Sequence, residues 1–126
     1  MILRDPAYLL HLRSQPCIIT GQYGDEYHSV VAAHIGTAGK GIKAPDNWAL
    51  PMLNSVHQEC HNKGEISTIM ARASDELIRA VVKANRNVSD DVPTADLRRY
   101  MPRSDFRVAL RAYAEQYYIT EWKERE

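Results

Sequence analysis

Three histidines carry most of the chemistry this sequence offers. His57 and His61 stand four residues apart in VHQECH, with Cys60 between them. Four residues on a helix is a rotation of about 400°, so both imidazoles lie on one face about one turn apart. That arrangement suits two ligands to one metal ion, although a solvated helix face carries histidines at the same spacing. His34 ends the apolar run VVAAH, just before a glycine-rich loop. A helix folded back onto that run would bring His34 opposite the pair across a small cleft. One neutral imidazole could then take a proton from a water, while a cation on the other two stabilised charge developing on a phosphate. Taken alone, His34 also fits a packed histidine at a strand end.

Two better-known arrangements do not fit. The zinc-protease helix needs a glutamate directly after its first histidine, whereas Glu59 follows His57 by two residues. Two residues turn a helix by about 200°, which points Glu59 away from any metal held by the pair. The loop GTAGKG resembles a phosphate loop at a glance. It lacks the GxxxxGK[ST] pattern and does not lie between a strand and a long helix.

The elements that must position these residues are short. Asp5-Pro6 reads as a helix cap followed by proline at the first helical position, opening a helix to about Ser14 that Pro16 ends. Cys17–Thr20 (CIIT) and His28–Ile35 (HSVVAAHI) are rich in β-branched residues and predict a two-stranded ribbon turning at Gly21–Glu26. Gly36–Asn47 reads as a loop and Trp48–Leu53 as a buried connector. Asn54 or Ser55 would cap the helix carrying His57 and His61, and Gly64 would stop it. Ser74-Asp75 opens another helix, Ala95–Tyr100 a short one, and Ser104-Asp105 a last one with Phe106, Leu110, Tyr113 and Tyr117 near one stripe. The expected class is α+β and mostly helical: a short β-ribbon plus helix, with additional C-terminal helices.

Length and composition bound the rest. The 126 residues, 44% hydrophobic and 25% charged, fit a single domain spanning residues 1–126. No apolar run is long enough to span a membrane. Arg4, Asp5, His11 and Arg13 interrupt the N-terminal apolar stretch, so no signal peptide is read there and a cytoplasmic location is expected. Two cysteines, Cys17 and Cys60, demand no disulfide. The formal net charge is zero, which counts against nucleic-acid binding by bulk attraction. Yet between Asp96 and Arg111 five arginines (Arg98, Arg99, Arg103, Arg107 and Arg111) face two aspartates, an excess of three. That segment is either a solvated face or a contact surface.

The segment AAHIGTAGKGIKAPDNWALPMLNSVHQECH resembles the HNH nuclease motif, a ββα-metal fold. Together with RDPAYLLHLRSQPCIITG it resembles more narrowly the Ref-like, RecA-dependent nucleases and related phage HNH proteins. The resemblance covers residues 4–64 and leaves residues 65–126 as a helical extension of no recognised kind.

The resemblance implies the following roles. His34 would be the general base that activates water. His57 and His61 would hold one divalent cation (magnesium, manganese, nickel, cobalt or zinc) on the scissile phosphate. The middle residue, which positions the base, falls on Asp46 or Asn47, and the sequence leaves both open. Lys40, Lys43 and the backbone at Gly39 and Gly41 would approach phosphates, since glycine admits close approach. Arg98 and Arg99 are candidate DNA contacts from the basic segment.

The chain also departs from the family's pattern. Many relatives hold a structural zinc on two cysteine pairs. Here the first pair reads Cys17-Ile18-Ile19-Thr20 and the second falls on Leu53 and Val56, so no structural zinc is expected. Ala33 stands where many HNH sites have a metal ligand directly before the base. The expected function is a metal-dependent HNH-type DNA endonuclease, bacterial or phage-encoded. It would act on single-stranded, branched or duplex DNA, with a recombination protein as a candidate partner. The alternative is a degenerate HNH-fold module that binds DNA or a recombination protein without cutting.

Overall fold

A computed structural model describes residues 4–39 and 42–124, with residues 37–39, 42 and 43 described by their backbone alone. Helix α1 spans Pro6–Arg13. Its cap is the expected one: the Asp5 carboxylate accepts from the Tyr8 amide, and Pro6 holds the first helical position.

The main sheet has two antiparallel strands, β1 (Val30–His34) and β4 (Ala49–Leu53), paired from Val30↔Leu53 to His34↔Ala49. This corrects the expected ribbon, which paired Cys17–Thr20 with His28–Ile35. The CIIT segment instead closes on itself, with Gly21 N–H on the Cys17 carbonyl and Cys17 N–H on the Gln22 carbonyl. Gly21 at φ +76° permits that turn, so local turn chemistry outweighs the β-branched composition. Ile18 keeps one bond to the sheet, its N–H donating to the Pro51 carbonyl. The partner strand of β1 is the stretch expected to be a connector. Pro51 argues against a strand by composition, but in a two-stranded sheet both strands are edges, where proline is tolerated.

Between the two strands the chain forms a minor ribbon, β2 (Thr37–Gly39) with β3 (Ile42–Lys43), and a 3₁₀ turn over Asp46–Trp48. Helix α2 (Asn54–Lys63) leaves β4 directly and turns back along the sheet, burying Val56 and Cys60 against it. Gly64 ends α2 at φ +97°, and α3 (Glu65–Arg72) follows at once, an element the sequence reading does not assign. The remaining helices are α4 (Asp75–Lys83), with Ser74 as its cap, α5 (Thr94–Tyr100) and α6 (Arg103–Tyr113). Helix α6 runs without a break through a π-helical stretch, Ala114–Ile119, into α7 (Thr120–Glu124).

Two apolar clusters hold these elements. The larger joins Ile35, Leu50 and Met52 of the sheet region to Val56 of α2, Ile66 and Ile69 of α3, Ile78 and Val81 of α4, and Phe106 and Leu110 of α6. The smaller joins Tyr8 and Leu12 of α1 to Ala49 and Ile119, with Trp122 packed against it. Of the expected last stripe, Phe106 and Leu110 are fully buried, while Tyr117 is exposed and stacks on Tyr113. The observed class is α+β and mostly helical, as expected. No helix of the described residues is long and apolar enough to cross a membrane.

Candidate active site

His34 is the last residue of β1, and its position there is fixed by the pairing with Ala49. Twelve residues on, the 3₁₀ turn folds Asp46 back beneath it. His34 Nε2 lies 2.9 Å from Asp46 Oδ1. Asp46 is buried, with its side chain only 3% exposed, whereas the His34 ring is 17% exposed and still meets solvent. The other Asp46 oxygen, Oδ2, accepts from the Asp5 amide at 2.6 Å. Arg4 donates to the Ala44 carbonyl at 2.8 Å and stands 3.9 Å from Asp46 Oδ1. Burial works to raise the pKa of the Asp46 carboxyl. The hydrogen bonds from His34 and Asp5, and the charges of His34 and Arg4, outweigh it and hold the group below its ordinary value. An ionised carboxylate only accepts, so the proton in the pair belongs to His34 Nε2. In a neutral ring with that tautomer the lone pair lies on Nδ1.

The helical pair forms as the spacing requires. The His57 and His61 rings lie 4.5 Å apart, centroid to centroid, tilted by 55°. His57 is half-buried and His61 exposed. Burial first, then the charges of His61 and His34, lower the pKa of His57, which favours the neutral ring with a lone pair to give. Helix α2 packs on β1, the strand that ends at His34. Among the described residues no three histidine, cysteine or acidic side chains are grouped to hold a metal by themselves. His57 and His61 are the side chains on this helix face that could ligate a metal.

The adjacent candidates part company. Asp46 touches His34, while Asn47 is half-buried, its Oδ1 enclosed without a hydrogen-bond partner, and its amide donates to Glu115 Oε1 at 2.7 Å, beside Trp48 Nε1 at 2.8 Å on the same oxygen. Glu115 lies in the π-helical stretch, so Asn47 and Trp48 tie the Asp46 turn to the C-terminal helix. Lys40 and Gly41 lie outside the described residues. Gly39 falls in β2 and Lys43 in β3. Arg98 is committed to the fold: it donates to the Met70 and Ala73 carbonyls at the end of α3 and pairs with Asp75 at 2.9 Å. Arg99 is exposed and lies over the Tyr100 ring.

The sequence reading missed a group of three charges beside the strand end. Glu65 Oε1 accepts from the Gly36 amide at 3.1 Å. Burial raises the pKa of its carboxyl, against the pull of the Gly36 N–H and of Arg107, Arg111 and His61. Arg111 Nε donates to the Ile35 carbonyl at 3.2 Å, and its guanidinium lies 4.1 Å from the centre of the Trp48 ring. These contacts join positions 29 and 76 residues apart, beyond the reach of any local pattern. The only advance signal was the arginine excess in the Asp96–Arg111 segment.

A model of a protein family described as "Protein of unknown function (DUF968)" matches residues 1–66, just over half of the chain. No curated protein and no solved structure matches it.

Proposed function

The chain belongs to the DUF968 family of proteins of unknown function, and on that premise we propose that it is a metal-dependent DNA endonuclease of the HNH type. The observation that carries this reading is the His34–Asp46 pair at the end of β1, the strand on which the helix carrying the His57–His61 pair packs. A buried, ionised carboxylate holds His34 with its proton on Nε2 and leaves Nδ1 to accept one. In the proposed reaction Nδ1 takes a proton from a water. The water oxygen bonds to phosphorus while the opposite phosphorus–oxygen ester bond breaks, the leaving oxygen takes a proton from solvent water, and the proton on Nδ1 returns to solvent.

His57 and His61 would hold the divalent cation, which when bound supplies positive charge to the phosphate and the leaving oxygen. Two nitrogen donors favour manganese, nickel, cobalt or zinc over magnesium in solution. A DNA- or recombination-protein-binding module that no longer cuts is the second reading. It draws on Ala33 next to the base and on a donor set of only two side chains.

One assay separates them. Supercoiled and single-stranded DNA are incubated with wild type and His34→Ala in magnesium, manganese or nickel. Nicking by the wild type that disappears in the variant is the expected result. No nicking under any of the metals would overturn the nuclease and leave the binding module.

A further inference from the structure

Helix α6 carries Arg103, Arg107 and Arg111 at intervals of four residues, so their side chains fall on one face, about 6 Å apart along the axis. Arg103 is exposed and Arg107 and Arg111 are half-buried. Arg111 reaches the Ile35 carbonyl, the residue after His34. Arg107 lies against Gly36 and feels the Glu65 carboxylate. Arg103 Nε donates to Ser67 Oγ at 2.7 Å, on the helix that Gly64 joins to the His61 turn. The three arginines thus run from the end of the base-bearing strand to the start of α3. Neither Arg103 nor Arg107 forms an ion pair at contact distance among the described residues. Glu65 places a carboxylate near both Arg107 and Arg111.

We propose that Arg103, Arg107 and Arg111 form a stripe on α6 that holds the phosphodiester backbone of a DNA strand alongside His34. The assignment of DNA as the ligand rests on the nuclease reading. A stripe about 12 Å long runs beside three or four phosphates of one strand, which carries a charge about every 3.4 Å along the duplex axis. Arg111, fixed by Ile35 and Trp48, sets the position nearest the base. Arg107 and Arg103 extend the track. This answers how a chain of zero net charge can bind a polyanion: by a local line of cations in place of a bulk field.

The test uses the full chain carrying His34→Ala, so that bound DNA is not cut. Arg103→Gln and Arg107→Gln are added singly and together, with Arg13→Gln on α1 as a charge-matched control. Arg111 is left intact because it braces the strand end. Binding of a fluorescently labelled duplex, and of its single strand, is followed by anisotropy across a salt series, and circular dichroism verifies the fold of each variant. Each stripe substitution should weaken binding about three- to tenfold and flatten the slope of log affinity against log salt by roughly one unit. Arg13→Gln should change neither. Unchanged affinity and slope in the double variant would overturn the stripe. So would an equal loss in Arg13→Gln, or no DNA binding by the parent at low salt. Nicking is scored separately with His34 restored, which distinguishes the two readings. Stripe-dependent binding without nicking would sink the nuclease alone, and nicking with stripe-independent binding would sink the stripe alone.

Discussion

Asp46→Asn would keep one acceptor for His34 but set an amide N–H₂ against the Asp5 amide, or expose His34 to a donor if the side chain flips. Either arrangement loosens the proton on Nε2, and cleavage should fall by about 10²- to 10⁴-fold, the range of a lost acid–base group. Nickel affinity, measured by calorimetry, should stay near wild type, because His57 and His61 lie on another element. The same residue sets an acid limit. The folded chain holds the Asp46 carboxyl below its ordinary value of about 3.9, so folding gains from the ionised form. That gain is complete above the ordinary value and is lost as pH falls through the lowered one. Urea midpoints taken downward from neutral pH should therefore drop more steeply below pH of about 4 in wild type than in Asp46→Asn. The three histidines were legible from residue type and spacing. The choice between Asp46 and Asn47 was not: successive residues of a 3₁₀ turn point about 120° apart, and only the packed chain decides which of them meets His34.

Glycine and arginine substitutions test how the elements are joined. Gly36 sits directly after β1 and its linker residue Ile35, at φ +75°, and a Cβ there would collide with the Arg111 guanidinium. Gly36→Ala should cost about 1–2 kcal/mol from the left-handed backbone alone, read as a lower urea midpoint, and should weaken any DNA binding by displacing Arg111. Arg98→Ala removes charge-assisted bonds to the last carbonyls of α3 and should cost about 1.5–3 kcal/mol. Its salt slope for DNA should match wild type, since its guanidinium is engaged by Met70, Ala73 and Asp75. At this scale the caps at Asp5 and Ser74 and the stop at Gly64 were legible, because each is a local bond or dihedral. Strand β4 was not legible, because what makes WALPML a strand is its partner Val30–His34, and Pro51 argued the other way. Helix α3 was hidden by its abrupt start: Gly64 both ends α2 and opens α3, with no side-chain cap to mark the boundary.

Across the whole molecule, the family match stops near residue 66 but the larger cluster does not. Ile35, Leu50 and Val56 are buried against Ile66, Ile69, Ile78, Val81, Phe106 and Leu110. A fragment of residues 1–66 would leave that surface open to water, with burial of a large aliphatic or aromatic side chain contributing about 1.5–3 kcal/mol each. It should be unfolded by circular dichroism and show no cooperative melt, while the full chain melts in one transition. A cooperative melt of the fragment would contradict this account. The mostly helical α+β class followed from composition and caps. The dependence of the site on the C-terminal half did not, because Glu65, Arg111 and Glu115 reach it only through tertiary contacts.

The π-helical stretch Ala114–Ile119 gives the C-terminal helix two phases. Before it, Phe106 and Leu110 face the larger cluster; at its end Ile119, and beyond it Trp122, face Tyr8 and Leu12 of α1. A π-bulge amounts to one extra residue in an α-helix, and each residue is worth about 100° of rotation. The helix therefore works as a fixed angular coupling, and its length in residues matters more there than its composition. Conservative replacements within the stretch leave the coupling intact, whereas removal of a single residue would turn everything downstream by more than a quarter circle.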